Sequence, residues 1–314
     1  MGENGLVPRL LDGDVGALAR AISLVENGSP RIPEILGGVY PRTGQAYVIG
    51  VTGPPGAGKS SLVNALTSIY RRAGKRVGII AVDPSSAFSG GAILGDRIRM
   101  QSHAADGDVF IRSMANRGHP GGLAKSTHDV VDLLDAAGFS IVILETVGVG
   151  QDEVEIVRGA DTVCVVLVPG LGDDIQSIKA GIMEIAHVFV VNKADREGAD
   201  RVSMEIDQML SLSESAGRWR PPIVSTVATT GEGVVRLTEE IDTHRAQAGS
   251  TASGAHRRRE LSRERIMSLA QDRFLAILRQ RAGDEAIESA VDAVASRKVD
   301  PYRATDALLD AAGL

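Results

Sequence analysis

The stretch Gly53-Pro54-Pro55-Gly56-Ala57-Gly58-Lys59-Ser60-Ser61 carries the residue types that hold a phosphate chain. Its glycines let the backbone turn several N–H groups toward anionic oxygens, and a helix beginning at its end adds partial positive charge. Lys59 is suited to reach the β- and γ-phosphates of a nucleotide, and the Ser60 hydroxyl to ligate Mg²⁺. The surroundings agree. An apolar run from Tyr47 to Val51 precedes the glycines, and a helical pattern from Leu62 to Tyr70 follows. The bland alternative is a glycine-rich turn between a strand and a helix. It does not ask for Gly-Lys-Ser at the turn's end.

A second stretch specifies a base. Asn192-Lys193-Ala194-Asp195 follows an apolar run, Val188 to Val191. The Asp195 carboxylate can accept two hydrogen bonds, from the N1–H and the exocyclic amine of guanine. Adenine offers an acceptor there instead, so ATP should be disfavoured, because buried polar groups would lose their partners. Val227-Ala228-Thr229, after the last expected strand, occupies the place for a backbone N–H to the guanine oxygen. It lacks the Ser-Ala pair usual there.

Further residues suit a metal and a γ-phosphate. Leu144-Glu145-Thr146-Val147-Gly148 ends another apolar run. Glu145 stands where most such sites have Asp, held to Mg²⁺ through water; one more methylene should alter the metal's outer shell. The Gly148 N–H is suited to meet a γ-phosphate and so to sense it. Gln151 is a candidate for orienting an attacking water; a polar loop residue is the alternative. Asp83 and Asp96 can both approach Mg²⁺, which takes few carboxylates and keeps waters, although Asp96 also suits a helix N-cap. Arg97 and Arg99 read as surface cations, with transition-state stabilisation the alternative. Gly170 to Lys179 is a glycine- and acid-rich loop that enters a helix. It reads either as a nucleotide-responsive segment with Lys179 reaching phosphates or a partner, or as a helix start capped by Asp173 or Asp174.

These loops need a scaffold that gathers them. From Gln45 onward, strand and helix patterns alternate, which specifies an α/β fold with a doubly wound, mostly parallel sheet. Strands are expected at Ala46–Val51, Arg76–Val82, Val109–Arg112, Ser140–Leu144, Thr162–Val168, Val188–Val191 and Ile223–Thr226. Helices are expected at Leu123–Ala136, Ile175–Ile185, Arg201–Ser213 and Val235–His244. Right-handed crossovers put the chemically informative loops at one edge. Residues 1–44 read as an N-terminal helical extension, with an amphipathic helix over Asp14–Glu26 and a short one over Pro30–Leu36. Gly5 to Arg9 resembles part of a protease-tag site and reads as native and disordered. Residues 45–245 form the nucleotide domain. Ala246 to Ala255, small and polar, reads as a linker or helix-breaking joint. Residues 246–314 form a helical arm with helices over His256–Arg281, Glu285–Ala295 and Pro301–Ala312. Its apolar stripe, Leu261, Ile266, Leu269, Phe274 and Leu278, must be buried on the chain itself or on a second copy, and a homodimer is favoured.

Composition narrows the class. The 314 residues are 43% hydrophobic but only 3% aromatic, so an aliphatic core under a parallel sheet is expected. The net charge of −6 argues against a nucleic-acid partner, and Arg257-Arg258-Arg259 then reads as a solvated helix face. No apolar run is long enough for a membrane span, and no signal peptide is recognisable, so a cytoplasmic location is expected. The single cysteine, Cys164, lies in an apolar run and reads as a small buried hydrophobe.

Gly-Pro-Pro-Gly-Ala-Gly-Lys-Ser-Ser, Asp-Pro-Ser-Ser, Leu-Gly-Asp-Arg-Ile-Arg-Met, Glu-Thr-Val-Gly-Val-Gly-Gln and Asn-Lys-Ala-Asp together resemble the MeaB/ArgK family of P-loop GTPases. The resemblance covers about residues 10–314. It implies a homodimeric GTPase that binds GTP/GDP and acts as a chaperone of methylmalonyl-CoA mutase, gating adenosylcobalamin loading and protecting or reactivating the mutase. It also implies that Lys59 and Ser60 bind phosphate and Mg²⁺, that Asp83, Asp96 and Glu145 surround the metal, and that Asp173–Lys179 acts as a third switch. Three other functions compete, one of them an interaction scaffold that only binds GDP. Some relatives are labelled kinases of amino-acid (lysine, arginine, ornithine) transport. Related nickel-insertion GTPases are metallochaperones, but those need Cys/His clusters, and here six scattered His accompany one Cys.

Overall fold

The computed structural model describes residues 5–83, 103, 105–115, 122–148, 157, 159–170, 185–212, 219–250 and 252–314. By internal contacts the chain divides into two compact units, Met1–Ala248 and Gly249–Leu314.

The first unit is built on seven parallel strands. They are β1 (Tyr47–Thr52), β2 (Val77–Asp83), β3 (Val109–Ala115), β4 (Ile141–Thr146), β5 (Thr162–Leu167), β6 (Val188–Asn192) and β7 (Ile223–Thr226). They lie in the order β3-β2-β4-β1-β5-β6-β7, and every pairing is parallel. Each strand lies within a residue or two of its expected place, except that β3 runs on to Ala115. The chain leaves β1 toward one side of the sheet and later returns to its other side. That reversal is the switch point at which ligands bind beyond the carboxyl ends of the strands.

Both sheet faces are buried, as a parallel sheet requires. Side chains alternate between them. Val142 and Leu144 of β4 join one core cluster, and Ile141 and Ile143 join the other. Helix α4 (Lys59–Arg72) covers the second face with Leu62, Val63, Leu66 and Tyr70. The first face is covered by α5 (Gly122–Ala136), by α6 (Ala199–Leu212) and by three N-terminal helices, α1 (Leu6–Leu11), α2 (Val15–Glu26) and α3 (Ile32–Val39). Asp14 caps α2 by accepting from Gly16 and Ala17 N–H. Helix α7 (Val234–Ser250) adds Val234, Leu237 and Ile241 to the second face. Cys164 is fully buried, and that burial pushes its thiol up to about 12, so it behaves as an apolar side chain.

One expectation fails here, and another holds only in part. Gly5 to Arg9 is not a disordered leader: Leu6 and Leu10 bury one face of α1 against the first core. Pro8 is tolerated because it lies in the first turn, where a backbone N–H would have no intrahelical acceptor. The division between the two compact units falls inside Ala246 to Ala255, the expected linker or helix-breaking joint, but the described residues there are helical. Helix α7 continues to Ser250 and α8 (Ala252–Ala282) follows, with Thr251 outside the described residues. Alanine and glutamine sustain helix where the polar composition suggested a break.

The second unit consists of α8, α9 (Asp284–Ala295) and α10 (Pro301–Ala312). Asp300 caps α10, accepting from Tyr302 and Arg303 N–H. The helix expected over Ile175–Ile185 falls, apart from its last residue, outside the described residues.

The place of α1 in the core is testable. Leu10→Ala removes a fully buried side chain and is expected to lower unfolding free energy by about 2–4 kcal/mol in urea titration. A loss below about 0.5 kcal/mol, as for a surface change, would return this segment to a dispensable leader.

Candidate functional site

The loop between β1 and α4 is shaped by glycine. Gly53 has φ 150°, and a Cβ there would lie 2.2 Å from the Val166 carbonyl oxygen, so no other residue fits. Gly58 precedes α4 at φ 85°, and its missing side chain leaves room for Asn192 Nδ2. Helix α4 begins at Lys59, a turn earlier than the apolar pattern indicates, so Lys59, Ser60 and Ser61 form its first turn.

Lys59 is 6% exposed. Its ammonium donates to the carbonyls of Gly53 at 2.8 Å, Pro54 at 2.9 Å and Val147 at 2.9 Å. A buried ammonium requires such acceptors. Next to it, Ser60 Oγ donates to Glu145 Oε1 at 2.6 Å. Glu145 is buried and shares the sheet face of Ile143; Asp83, half-buried at the end of the neighbouring β2, shares the corresponding face of that strand. Helix start and strand ends thus bring Lys59, Ser60, Glu145, Val147 and Gly148 together. Two residues that sequence reasoning missed join them. Thr52 and Thr146, both fully buried, place their hydroxyls on the Gly148 carbonyl. They read as ordinary β-formers, and only their position beside Gly53 and inside Glu-Thr-Val-Gly hinted at more.

The other end of the site is tied to the same loop. Asn192 Nδ2 donates to the Ala57 carbonyl at 2.8 Å, and its Oδ1 accepts from Ala228 N–H at 3.1 Å and Thr226 Oγ1 at 3.2 Å. Lys193, held at φ 58°, donates from Nζ to the Gly56 carbonyl at 2.7 Å. One asparagine therefore ties the phosphate loop to the loops after β6 and β7. Between them lies a cavity of about 130 Å³ lined by Gly58, Ser61, Asn192, Lys193, Asp195, Arg196, Val227, Ala228 and Thr229. Val227, Ala228 and Thr229 line it despite lacking the usual Ser-Ala pair. Arg196 is the lining residue that sequence reasoning passed over. Asp96, Gln151 and Lys179, with Arg97, Arg99 and the Asp173–Lys179 segment, lie outside the described residues. Among the described residues, no group of three or more His, Cys, Asp or Glu could hold a metal, and no helix is long and apolar enough to cross a membrane.

The family described as methylmalonyl Co-A mutase-associated GTPase MeaB has a model that matches residues 18–283. The chain belongs to this family. As a MeaB-family protein it is a P-loop GTPase that binds and hydrolyses GTP. A relative from Pyrococcus abyssi is 48% identical, over 97% of this chain and 95% of its own. The Mus musculus protein named methylmalonic aciduria type A homolog, mitochondrial, is 31% identical, over 96% of this chain and 77% of its own. The crystal structure of LAO/AO transport system kinase superposes with a TM-score of 0.73 at 27% identity, covering 99% of this chain and 98% of the other. MeaB membership thus extends past the nucleotide core on both sides.

The Asn192 tie gives a prediction. Asn192→Ala leaves the Ala57 carbonyl and the Ala228 N–H without this partner, so GDP and GTP should both bind about tenfold or more weaker, and the melting temperature should fall as well. Fluorescent-nucleotide titration measures this. Unchanged affinity would remove the asparagine from the site.

Proposed function

We propose that this GTPase is a nucleotide-switched chaperone of methylmalonyl-CoA mutase, gating adenosylcobalamin loading and protecting or reactivating the mutase. The observation that carries the proposal is the extent of the family match, residues 18–283. It takes in most of α2 and all of α3 and α8, beyond what guanine-nucleotide binding alone requires. The family's description names the mutase, and the mouse relative's name refers to methylmalonic aciduria.

In this reading the phosphate loop, Gly53 to Ser61, wraps the phosphates, and Lys59 turns part of its ammonium toward the β- and γ-oxygens. Asp195 accepts from the guanine edge, Lys193 and Asn192 wall the base, and the Val227-Ala228-Thr229 backbone faces the guanine oxygen. The residues fit Mg²⁺. The Ser60 and Glu145 oxygens are hard donors 2.6 Å apart, and the serine, which gives its proton to Glu145, keeps lone pairs for a cation. Ser60 would hold the metal, with Glu145, Asp83 and Asp96 orienting its waters. When bound, Mg²⁺ supplies charge neutralisation at the β- and γ-phosphates. Gln151 and Lys179 remain candidates for ordering the attacking water and for touching phosphates or partner. Hydrolysis should be slow without the partner, since no arginine finger is evident in the sequence. Residues 246–314 serve as the dimerisation arm. In support, Ile266, Leu269 and Phe274 are 65%, 42% and 44% exposed.

A second reading is favoured by one observation. The structural neighbour is called a transport system kinase. A kinase would pass the γ-phosphoryl to a protein hydroxyl, whereas a GTPase passes it to water. Labelled GTP and ATP, incubated with a periplasmic amino-acid-binding protein, separate the two: label on protein from ATP and none released from GTP would favour the kinase.

Two outcomes are expected for the main proposal. Asp195→Asn should raise the affinity for xanthine relative to guanine nucleotides by about tenfold or more, read by competition titration; an unchanged ratio counts against Asp195 as the base contact. The protein should co-elute with methylmalonyl-CoA mutase and change its affinity between GDP and a GTP analogue, while the mutase accelerates GTP hydrolysis. Absence of a complex in both nucleotide states, with GTP hydrolysis intact, would rule out the chaperone role.

A further inference from the structure

Two buried threonines stand beside the phosphate site without a part in the chemistry above. Thr52 closes β1 and Thr146 closes β4, and both are fully buried. Thr52 Oγ1 donates to the Gly148 carbonyl at 3.0 Å. Thr146 Oγ1 lies 2.9 Å from Thr52 Oγ1 and 3.2 Å from the same carbonyl. Each hydroxyl has one proton to give. The set therefore forms a relay in which Thr146 donates to Thr52 and Thr52 donates to Gly148, each bond polarising the next.

The preceding peptide is held from another direction. The Val147 carbonyl accepts from Lys59 Nζ at 2.9 Å. In a planar trans peptide the C=O and the next N–H point in opposite directions. The Gly148 N–H shares its peptide plane with the Val147 carbonyl, so it points away from the Lys59 ammonium. In this arrangement, one oxygen cannot take both the Lys59 ammonium and the Gly148 N–H. An ammonium has three hydrogens, and the Gly53, Pro54 and Val147 carbonyls are matched to them. Gly53 and Pro54 belong to the loop that carries Lys59. Val147 belongs to the end of another strand, so its bond is the one that a phosphate can displace without unmaking the loop.

We propose that Thr52 and Thr146 are positioning residues that pin the Gly148 carbonyl as a pivot, about which the Val147–Gly148 peptide turns from Lys59 toward the γ-phosphate. The proposal rests on the reading that Gly148 senses that phosphate. Displacement of Val147 from Lys59 then becomes rotation of one peptide plane, and the absence of a Cβ at Gly148 keeps its steric cost low. GTP gains an N–H contact that GDP has no oxygen to make. The relay thus sets the preference between the two nucleotides, and general nucleotide affinity is set elsewhere.

The test uses the full chain with Thr52→Val and Thr146→Val, which keep shape and remove the hydroxyl, and with the corresponding Ser variants, which keep the hydroxyl. Affinities for GDP and for a non-hydrolysable GTP analogue are measured, with single-turnover hydrolysis. The Val variants should hold GDP within about twofold of the parent and lose about fivefold or more in analogue-over-GDP preference. Hydrolysis should slow in parallel, and Ser should restore both. An unchanged ratio, or equal loss for both nucleotides, overturns the relay and leaves a packing role. Should the Val variants fail to fold, the Gly148 amide of the parent chain, followed by ¹⁵N-glycine NMR, decides: a shift with the analogue and none with GDP supports the turning peptide. The same amide separates the two levels of the proposal. Indifference to both nucleotides, although both bind, overturns the γ-phosphate reading as well. A response in the parent that persists unchanged in the Val variants overturns the relay alone.

Discussion

A buried positive charge is the constraint on which the phosphate site depends. Burying a lysine ammonium costs several kcal/mol unless its hydrogens find acceptors. Lys59 meets that requirement with carbonyls from its own loop and with one from the end of β4. The loop's curl, the first turn of α4 and the segment after β4 are therefore fixed against one another. Gly53 makes the curl possible, because the Val166 carbonyl occupies the space of a side chain. Glu145 adds a second tie across the same gap through the Ser60 hydroxyl. Its extra methylene relative to the expected aspartate has a consequence within the protein itself. It brings the carboxylate into contact with the hydroxyl that would hold the metal, so changes at either residue should be felt by the other.

The sheet makes these ties possible. Seven parallel strands deliver every informative loop to one edge, and β1, at the switch point, lies between β4 and β5. β4 supplies Glu145, Thr146 and the Val147 carbonyl. Two strands away on the other side, β6 supplies Asn192, which reaches the Ala57 carbonyl. The phosphate loop is thus held from both flanks, on one by a charge and on the other by an amide. A shift in one flank cannot occur without strain in the loop, and this is the property that a nucleotide sensor needs.

Much of this was legible in the sequence, for a physical reason. Phosphate and guanine chemistry need uncommon residue types at fixed spacing, so Gly53 to Ser61 and Asn192 to Asp195 stand out. Strands buried on both faces appear as unbroken apolar runs. What was illegible has physical reasons too. The Val147, Ala57 and Gly56 carbonyls accept from key side chains, and backbone oxygens leave no residue signature. Thr52 and Thr146 look like strand formers until geometry sets their hydroxyls on one carbonyl. Leu6 and Leu10 were hidden by Pro8 and a tag-like context, although their spacing of four suits a helix face. The composition of Ala246 to Ala255 marked the division between the two units but not its conformation: small polar residues weaken helix propensity but do not forbid helix.

The second unit raises the question of what its helices are for. Among its described residues only Ala304 and Ala312 are buried apolar side chains, whereas Ile266, Met267, Leu269, Phe274 and Leu275 on α8 are exposed. Helices in water draw most of their stability from packing an apolar face, and a short three-helix unit that buries so little of its own has a weak claim to independent folding. Yet the family match runs through the whole of α8, to residue 283. Apolar residues at Ile266, Leu269 and Phe274 would be a liability for solubility if they faced water in every state. A second protein surface, whether another copy or the proposed mutase partner, would relieve that liability. Helix α7 runs from the first unit into the second. It packs Val234, Leu237 and Ile241 against the sheet that carries the nucleotide loops, and its final residues already belong to the second unit. The arm is therefore covalently continuous, through one helix, with the core that carries the nucleotide loops.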